Sequence, residues 1–97
     1  MRTAIIENET KAQQLLSDIL KSYCKELQVV GIAATINKGR QLITEHQPEL
    51  LFLDIQLDDG DGFDLLDILE QTDLKVIFTT AYDSYAIKAF KYETVDY

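Results

Sequence analysis

Leu50-Leu51-Phe52-Leu53 is the most hydrophobic run of the 97-residue chain, and it stops abruptly at Asp54. A short, continuous apolar run bounded by polar residues is the pattern of a strand buried on both faces, as in parallel sheets covered by helices. Near the amino terminus the arrangement repeats, because Ala4-Ile5-Ile6 is apolar and ends at Glu7-Asn8-Glu9. Val76-Ile77-Phe78 is a third such run, and it ends in Thr79-Thr80. Buried strands therefore deliver acids or hydroxyls at their carboxyl ends.

The segments between these runs have helical spacing. Leu15, Leu16, Ile19, Leu20, Tyr23 and Leu27 recur three and four residues apart, which predicts an amphipathic helix over roughly 10–26 with Thr10 as its N-cap. Val29 to Ala33 is a β-branched second strand, and a helix over 36–46 is stopped by Pro48. Residues 58–62, Asp-Asp-Gly-Asp-Gly, predict a turn, followed by a helix from Phe63 to near Thr72. A further helix is expected over 82–92, and Val95-Asp96-Tyr97 opens a fifth strand. Strands alternating with helices predict an α/β fold, with a parallel sheet, right-handed crossovers and helices on both faces. Ligands of such sheets bind outside the carboxyl ends of the strands, where strand order reverses. Glu7, Asn8, Asp54 and Thr80 are expected to converge there.

A length of 97 residues allows one domain, and 46% apolar with 27% charged residues is an ordinary globular composition. Nine basic against seventeen acidic side chains leave a formal net charge of −8, which opposes direct binding to nucleic-acid phosphates and favours a cation or a basic partner surface. The single cysteine, Cys24, cannot form an internal disulfide and fits a reducing cytosol as a small filler near a helix end. Neither a signal peptide nor an apolar run near the ~20 residues of a membrane span occurs. The expected location is cytoplasmic.

Two or three oxygen ligands at one rim suit a hard cation, and Mg²⁺ takes one or two carboxylates while keeping several waters. Beside such an ion Asp54 is a candidate nucleophile toward a phosphoryl donor, with the Thr80 hydroxyl as a hydrogen-bond donor to the phosphoryl group. Each residue alone has an ordinary explanation. Asp after a strand caps and turns, Glu7-Asn8-Glu9 suits a solvated turn, and Thr79-Thr80 suits a strand end; their joint placement is what points to a site.

With these residues in view, three segments resemble the active-site segments of bacterial response-regulator receiver domains. They are Ile5-Ile6-Glu7-Asn8-Glu9, then Leu53-Asp54-Ile55-Gln56-Leu57 with Gly62 eight residues after the Asp, and Val76-Ile77-Phe78-Thr79-Thr80-Ala81. The stretch from Phe78 to Phe90, with Val95-Asp96-Tyr97, further resembles receivers attached to LytTR-type DNA-binding domains. The resemblance spans the chain and implies a flavodoxin-like doubly wound sheet of strand order 2-1-3-4-5. It implies a phosphorylation switch of a two-component system, served by a sensor histidine kinase and not an enzyme in the usual sense. Asp54 matches the phosphoacceptor, and Glu7, Asn8, Asp54 and the Gln56 backbone carbonyl match the ligands of Mg²⁺ (or Mn²⁺). Thr80 matches the hydroxyl that follows the phosphoryl group, Ala81 the small residue beside it, and Tyr97 the aromatic that switches with Thr80. A homodimer and a LytTR-type output domain are the implied partners, with no nucleic-acid or membrane contact by residues 1–97.

Three departures stand out. Glu7 and Asn8 occupy places where the family usually has two Asp residues, which removes one formal charge. Asp58 stands where proline is common, which is expected to leave the following loop less constrained. A lysine expected three residues beyond Tyr97 is absent with the final helix, so the chain is expected to be a receiver truncated in its fifth strand, with an altered oligomer as a hazard. Competing readings fare worse. A calcium loop starting at Asp54 needs Gly and Glu where Asp59 and Leu65 stand, and a phosphatase lacks a general acid because the second residue after Asp54 is Gln56. His46 reads as a surface residue. The main alternative is a receiver-like docking or dimerisation module that works without phosphate, and Asn8 is the feature that favours it.

Overall fold

The computed structural model describes residues 1–69 and 74–79 and, as backbone, Val95 and Asp96. Chain order is β1 (Arg2–Ile6), α1 (Thr10–Tyr23), β2 (Gln28–Ala33), α2 (Ile36–His46), β3 (Leu50–Leu53), β4 (Gln56–Leu57), β5 (Gly60–Asp61), α3 (Gly62–Ile68), β6 (Lys75–Phe78) and β7 (Val95–Asp96). Five strands form a parallel sheet in the order β2-β1-β3-β6-β7, while β4 and β5 pair antiparallel as a small hairpin. Counted along the large sheet alone, this is the expected order 2-1-3-4-5. The hairpin lies where the sequence predicts only a turn.

From β1 the chain moves outward to β2, then back across β1 to β3. Right-handed crossovers in opposite directions put α1 on one face of the sheet and α2, with α3 beside it, on the other. Side chains alternate along each strand, so Ala4 and Ile6, Leu51 and Leu53, and Val76 and Phe78 lie in register on one face. With Ile43, Ile55, Phe63, Leu65 and Leu74 they form the main core under α2 and α3. Phe63 and Phe78 meet with ring centroids 4.9 Å apart and planes tilted by 43°. On the other face Ile5 is fully buried, and α1 contributes Leu20 and Ser17 to the interior.

Local hydrogen bonds explain where the elements begin and end. The Met1 amino group donates to the Glu26 carbonyl at 2.7 Å, and Gln28 N–H donates to the Met1 carbonyl at 2.9 Å. Those bonds commit residues 26–28 to the turn that leads into β2, so α1 ends at Tyr23 and not at 26. Thr10 is the first helical residue, not the N-cap; Glu9 holds that place without a side-chain cap bond. The apolar stripe of α1 is also wider than one sheet face covers. Leu20 is buried, whereas Leu15 and Tyr23 are 63% and 83% exposed. The second helix ends as expected at His46, an exposed side chain, with Gln47 left-handed at φ 45° before the buried Pro48. Short of the expected Thr72, α3 stops at Ile68, because Leu69 is already extended at ψ 131°. The expected helix over 82–92 lies outside the described residues.

The two faces of this reading predict unequal costs. Leu51→Ala, at a fully buried position of the third strand, is expected to lower stability by roughly 2–5 kcal/mol, and Leu15→Ala on the exposed stripe to change it by less than about 0.5 kcal/mol. Urea denaturation of both variants checks this; equal losses would mean that α1 packs its outer stripe against something.

Candidate functional site

The site is built by the last rungs of the parallel ladder. Ile6 pairs with Leu53. One residue further, Asp54 N–H donates to the Ile6 carbonyl at 2.9 Å and Glu7 N–H donates to the Ala33 carbonyl at 2.9 Å. Glu7 and Asp54 therefore leave adjacent strands side by side at the carboxyl rim. Since β1 lies between β2 and β3, this rim is where strand order reverses.

Both side chains are half-buried. Burial pushes the Glu7 carboxyl above its ordinary value of 4.5, the Glu9 amide opposes the shift, and the neighbouring Asp54 carboxylate raises it as hydrogen-bond partner and as like charge. Glu7 also organises the loop into α1. Its Oε2 accepts from Glu9 N–H at 3.1 Å, and its carbonyl accepts from Gln13 Nε2 at 2.6 Å. Gln13 went unnoticed in the sequence, where it reads as an ordinary polar helix position.

Asn8 and Asp58, two of the positions that depart from the receiver pattern, meet each other: Asn8 Nδ2 donates to Asp58 Oδ1 at 3.4 Å. Asp58 begins the tip of the β4–β5 hairpin, and Gln56 lies exposed on β4, paired with Asp61. The loop after Asp54 is tied to a neighbouring helix. Asp59 reaches α2, where Oδ1 accepts from Ile36 N–H at 2.7 Å and Oδ2 from Asn37 N–H at 3.2 Å. The Ile36 amide is the largest cause that holds the Asp59 carboxyl below its ordinary value.

Gly60 makes the tip possible, with φ at 148°; a Cβ there would also lie 2.6 Å from Ile36 Cδ1. Asp61 starts α3 through a reciprocal capping box with Asp64, each backbone N–H donating to the other's carboxylate at 3.0 Å. Gly62 then passes directly beside the site, where a Cβ would sit 2.7 Å from the Asp54 carbonyl oxygen. Its N–H donates to the Ile55 carbonyl at 2.7 Å.

Of the residues singled out from sequence, Glu7 and Asp54 come together, Asn8 follows Glu7 and bonds to Asp58, and Gln56 lies two residues beyond Asp54 on the hairpin. Thr80, Ala81 and Tyr97 lie outside the described residues. Thr79, just before Thr80, extends the ladder by donating its N–H to the Leu53 carbonyl at 3.0 Å. Among the described residues no three Asp, Glu, His or Cys side chains gather into a metal cage. Two carboxylates with an amide and backbone carbonyls instead match a hydrated hard cation, which needs only one or two carboxylates. Asp59 was missed as a positioning group, because its partners lie 22 and 23 residues away in the chain.

Comparison with known proteins agrees with this architecture. Residues 3–97 match the response regulator receiver domain family. The chain is 37% identical over 101 residues to the sensory transduction protein LytT of Enterococcus faecalis and 31% identical over 99 residues to LytT of Bacillus anthracis. Each match covers all of this chain and 40% of the relative, so the chain spans about two fifths of the length of these proteins. The crystal structure of the response regulatory domain of protein MrkE from Klebsiella pneumoniae superposes with a TM-score of 0.87 at 26% identity, covering 97% of this chain and 78% of that one. By sequence and by fold alike, the chain belongs to the response regulator receiver domain family.

Proposed function

We propose that the chain is a phosphoacceptor switch of a two-component system, with Asp54 as the residue phosphorylated by a sensor histidine kinase. The observation that carries this reading is the pair of half-buried carboxylates, Glu7 and Asp54, at the switch point of a parallel sheet. An Asp54 carboxylate oxygen forms the new bond to phosphorus as the phosphorus–nitrogen bond of a phosphohistidine breaks, and the bonding pair returns to the imidazole. Glu7, Asn8, Asp54 and the Gln56 carbonyl would hold Mg²⁺ (or Mn²⁺). When bound, the ion offsets carboxylate–phosphate repulsion and neutralises charge on the transferring oxygens. The protein's own task is to fix the Asp54 peptide, through the ladder bond to Ile6 and the close passage of Gly62.

The family pattern assigns Thr80 the hydrogen bond to the phosphoryl group, Ala81 the room for it, and Tyr97 the coupled rotamer change. A phosphoryl group brings nearly two negative charges into an acidic site, and a small energy gap between two states lets that charge shift their populations. Transfer to and loss from Asp54 are self-catalysed. The resemblance to LytTR-type receivers carries over a DNA-binding output domain in the whole protein, a homodimer as its active form and the cytoplasm as its place. Among the described residues no helix is long and apolar enough to cross a membrane. A second reading, a docking module that needs no phosphate, draws on the engagement of Asn8 by Asp58.

Acetyl phosphate with Mg²⁺ separates the two readings. Intact mass is expected to rise by about 80 Da in the wild type and to stay unchanged in Asp54→Asn; an unmodified wild type would favour the docking module.

The Glu7 carboxyl supplies a pH test. A folded-state value above the unfolded one stabilises the fold below the ordinary 4.5, and that contribution is lost as pH rises through the raised value. Above that value the Glu7 carboxylate carries its charge against the neighbouring Asp54, an arrangement that a bound cation would relieve. Mg²⁺ is expected to raise the thermal midpoint near pH 7 and to do so far less near pH 4, where protons compete for the Glu7 carboxylate. Glu7→Gln should remove most of the neutral-pH gain, and a gain independent of pH and of Glu7 would place the cation elsewhere.

A further inference from the structure

The amino-terminal end of α2 and the hairpin after Asp54 are joined in a way that the phosphoacceptor reading alone does not use. The first four N–H groups of a helix, from the N-cap to the third helical residue, lack intrahelical partners. Here Lys38 N–H is taken by the Thr35 hydroxyl at 3.1 Å, from within the local chain. Ile36 N–H and Asn37 N–H are taken by the two carboxylate oxygens of Asp59, from the hairpin tip. Asp59 is thus a cap donated from a distant segment, and its negative charge faces the positive pole of α2. The absence of a side chain at Gly60 allows this close approach, since a Cβ there would overlap Ile36 and also lie 2.9 Å from Asp64 Oδ2.

The same short hairpin carries Gln56 and Asp58. Its only other side-chain tie to the rim among the described residues is the 3.4 Å bond from Asn8 to Asp58, a long and exposed contact. Leu57 of the same hairpin is buried in the main core, and of the two polar anchors the Asp59 clamp, with two charge-assisted bonds, is the stronger.

We infer that Asp59 is a positioning residue for the cation site: by clamping the hairpin to the amino terminus of α2, it sets where the Gln56 carbonyl and the Asp58 carboxylate stand relative to Glu7 and Asp54. This inference rests on the cation-assisted phosphoacceptor reading and extends it to a residue that touches neither the ion nor the phosphoryl group. Groups that orient metal ligands from behind commonly change affinity by 10–100-fold when removed. A further consequence is that α2 and the cation site share one linkage, so a displacement of either is felt at the other.

Calorimetric Mg²⁺ titration of the wild type, Asp59→Asn and Asp59→Ala tests the clamp. Asn and Ala remove the same charge, but Asn keeps an oxygen that accepts from one α2 amide. Asp59→Ala is expected to weaken Mg²⁺ binding about tenfold, with Asp59→Asn retaining most of the affinity. Equal affinities in Asn and Ala would reduce Asp59 to a through-space charge, and an Ala variant that loses thermal stability yet binds as the wild type does would reduce it to a structural cap; either result overturns the inference. If Asp59→Ala does not fold, Asp59→Glu replaces it, because it keeps the charge and displaces the carboxylate by one methylene. A loss of affinity there supports the clamp, and unchanged affinity overturns it. Absence of binding by the wild type would instead overturn the cation site itself, and the clamp with it.

Discussion

A parallel ladder must end somewhere, and the residues just past its last rung on neighbouring strands are forced to be neighbours. In this chain the final bonds on the two central strands are Glu7 N–H to Ala33 and Asp54 N–H to Ile6. The fully buried strands behind them, Ile5 and Ile6 on one side and Leu51 and Leu53 on the other, prevent either end from drifting. A register slip would bring core side chains to the rim and cost far more than the repulsion between two carboxylates. The hydrophobic core thus imposes an electrostatic arrangement that the acids alone would avoid, and the proton affinity of Glu7 is raised first by burial and further by Asp54.

Four consecutive residues then hold the surrounding shell in place. Asp59 caps α2, Gly60 reverses the chain, Asp61 caps α3, and Gly62 makes room for the Asp54 peptide. Two helices thereby start from one short hairpin, and that hairpin adjoins the phosphoacceptor candidate. A change at the rim has a direct mechanical route to α2 and α3, without passing through the main core. Asn8 and Asp58, which depart from the receiver pattern at separate places in the chain, bond to each other.

Much of this was legible in the sequence because it depends on periodicity. Strands buried on both faces appear as unbroken apolar runs, so Ile5-Ile6 and Leu50 to Leu53 declared a parallel sheet, and the residues ending them declared the rim. Tertiary hydrogen bonds have no such period. Met1 pairing with residues 26 and 28 shortened α1 against its own helical spacing, and Asp59 found its partners across more than twenty residues. The Asp-Asp-Gly-Asp-Gly string showed that the chain turns there, but its composition did not show that the turn is a hairpin or that one of its acids belongs to another helix. Absence of proline at Asp58 is visible in the sequence, whereas the tie of this loop to α2 through Asp59 is not.

Mn²⁺ is the most direct probe of the central claim, that one cation-holding cup forms where β1 and β3 end. Its unpaired electrons broaden nuclear resonances close to the ion, so a two-dimensional amide NMR spectrum recorded during a Mn²⁺ titration maps the site without reference to phosphorylation. The first amides to vanish should be those of residues 7, 8 and 54–58, and excess Mg²⁺ should restore them. Broadening that begins at other acidic surfaces, or spreads evenly over the chain, would contradict the account.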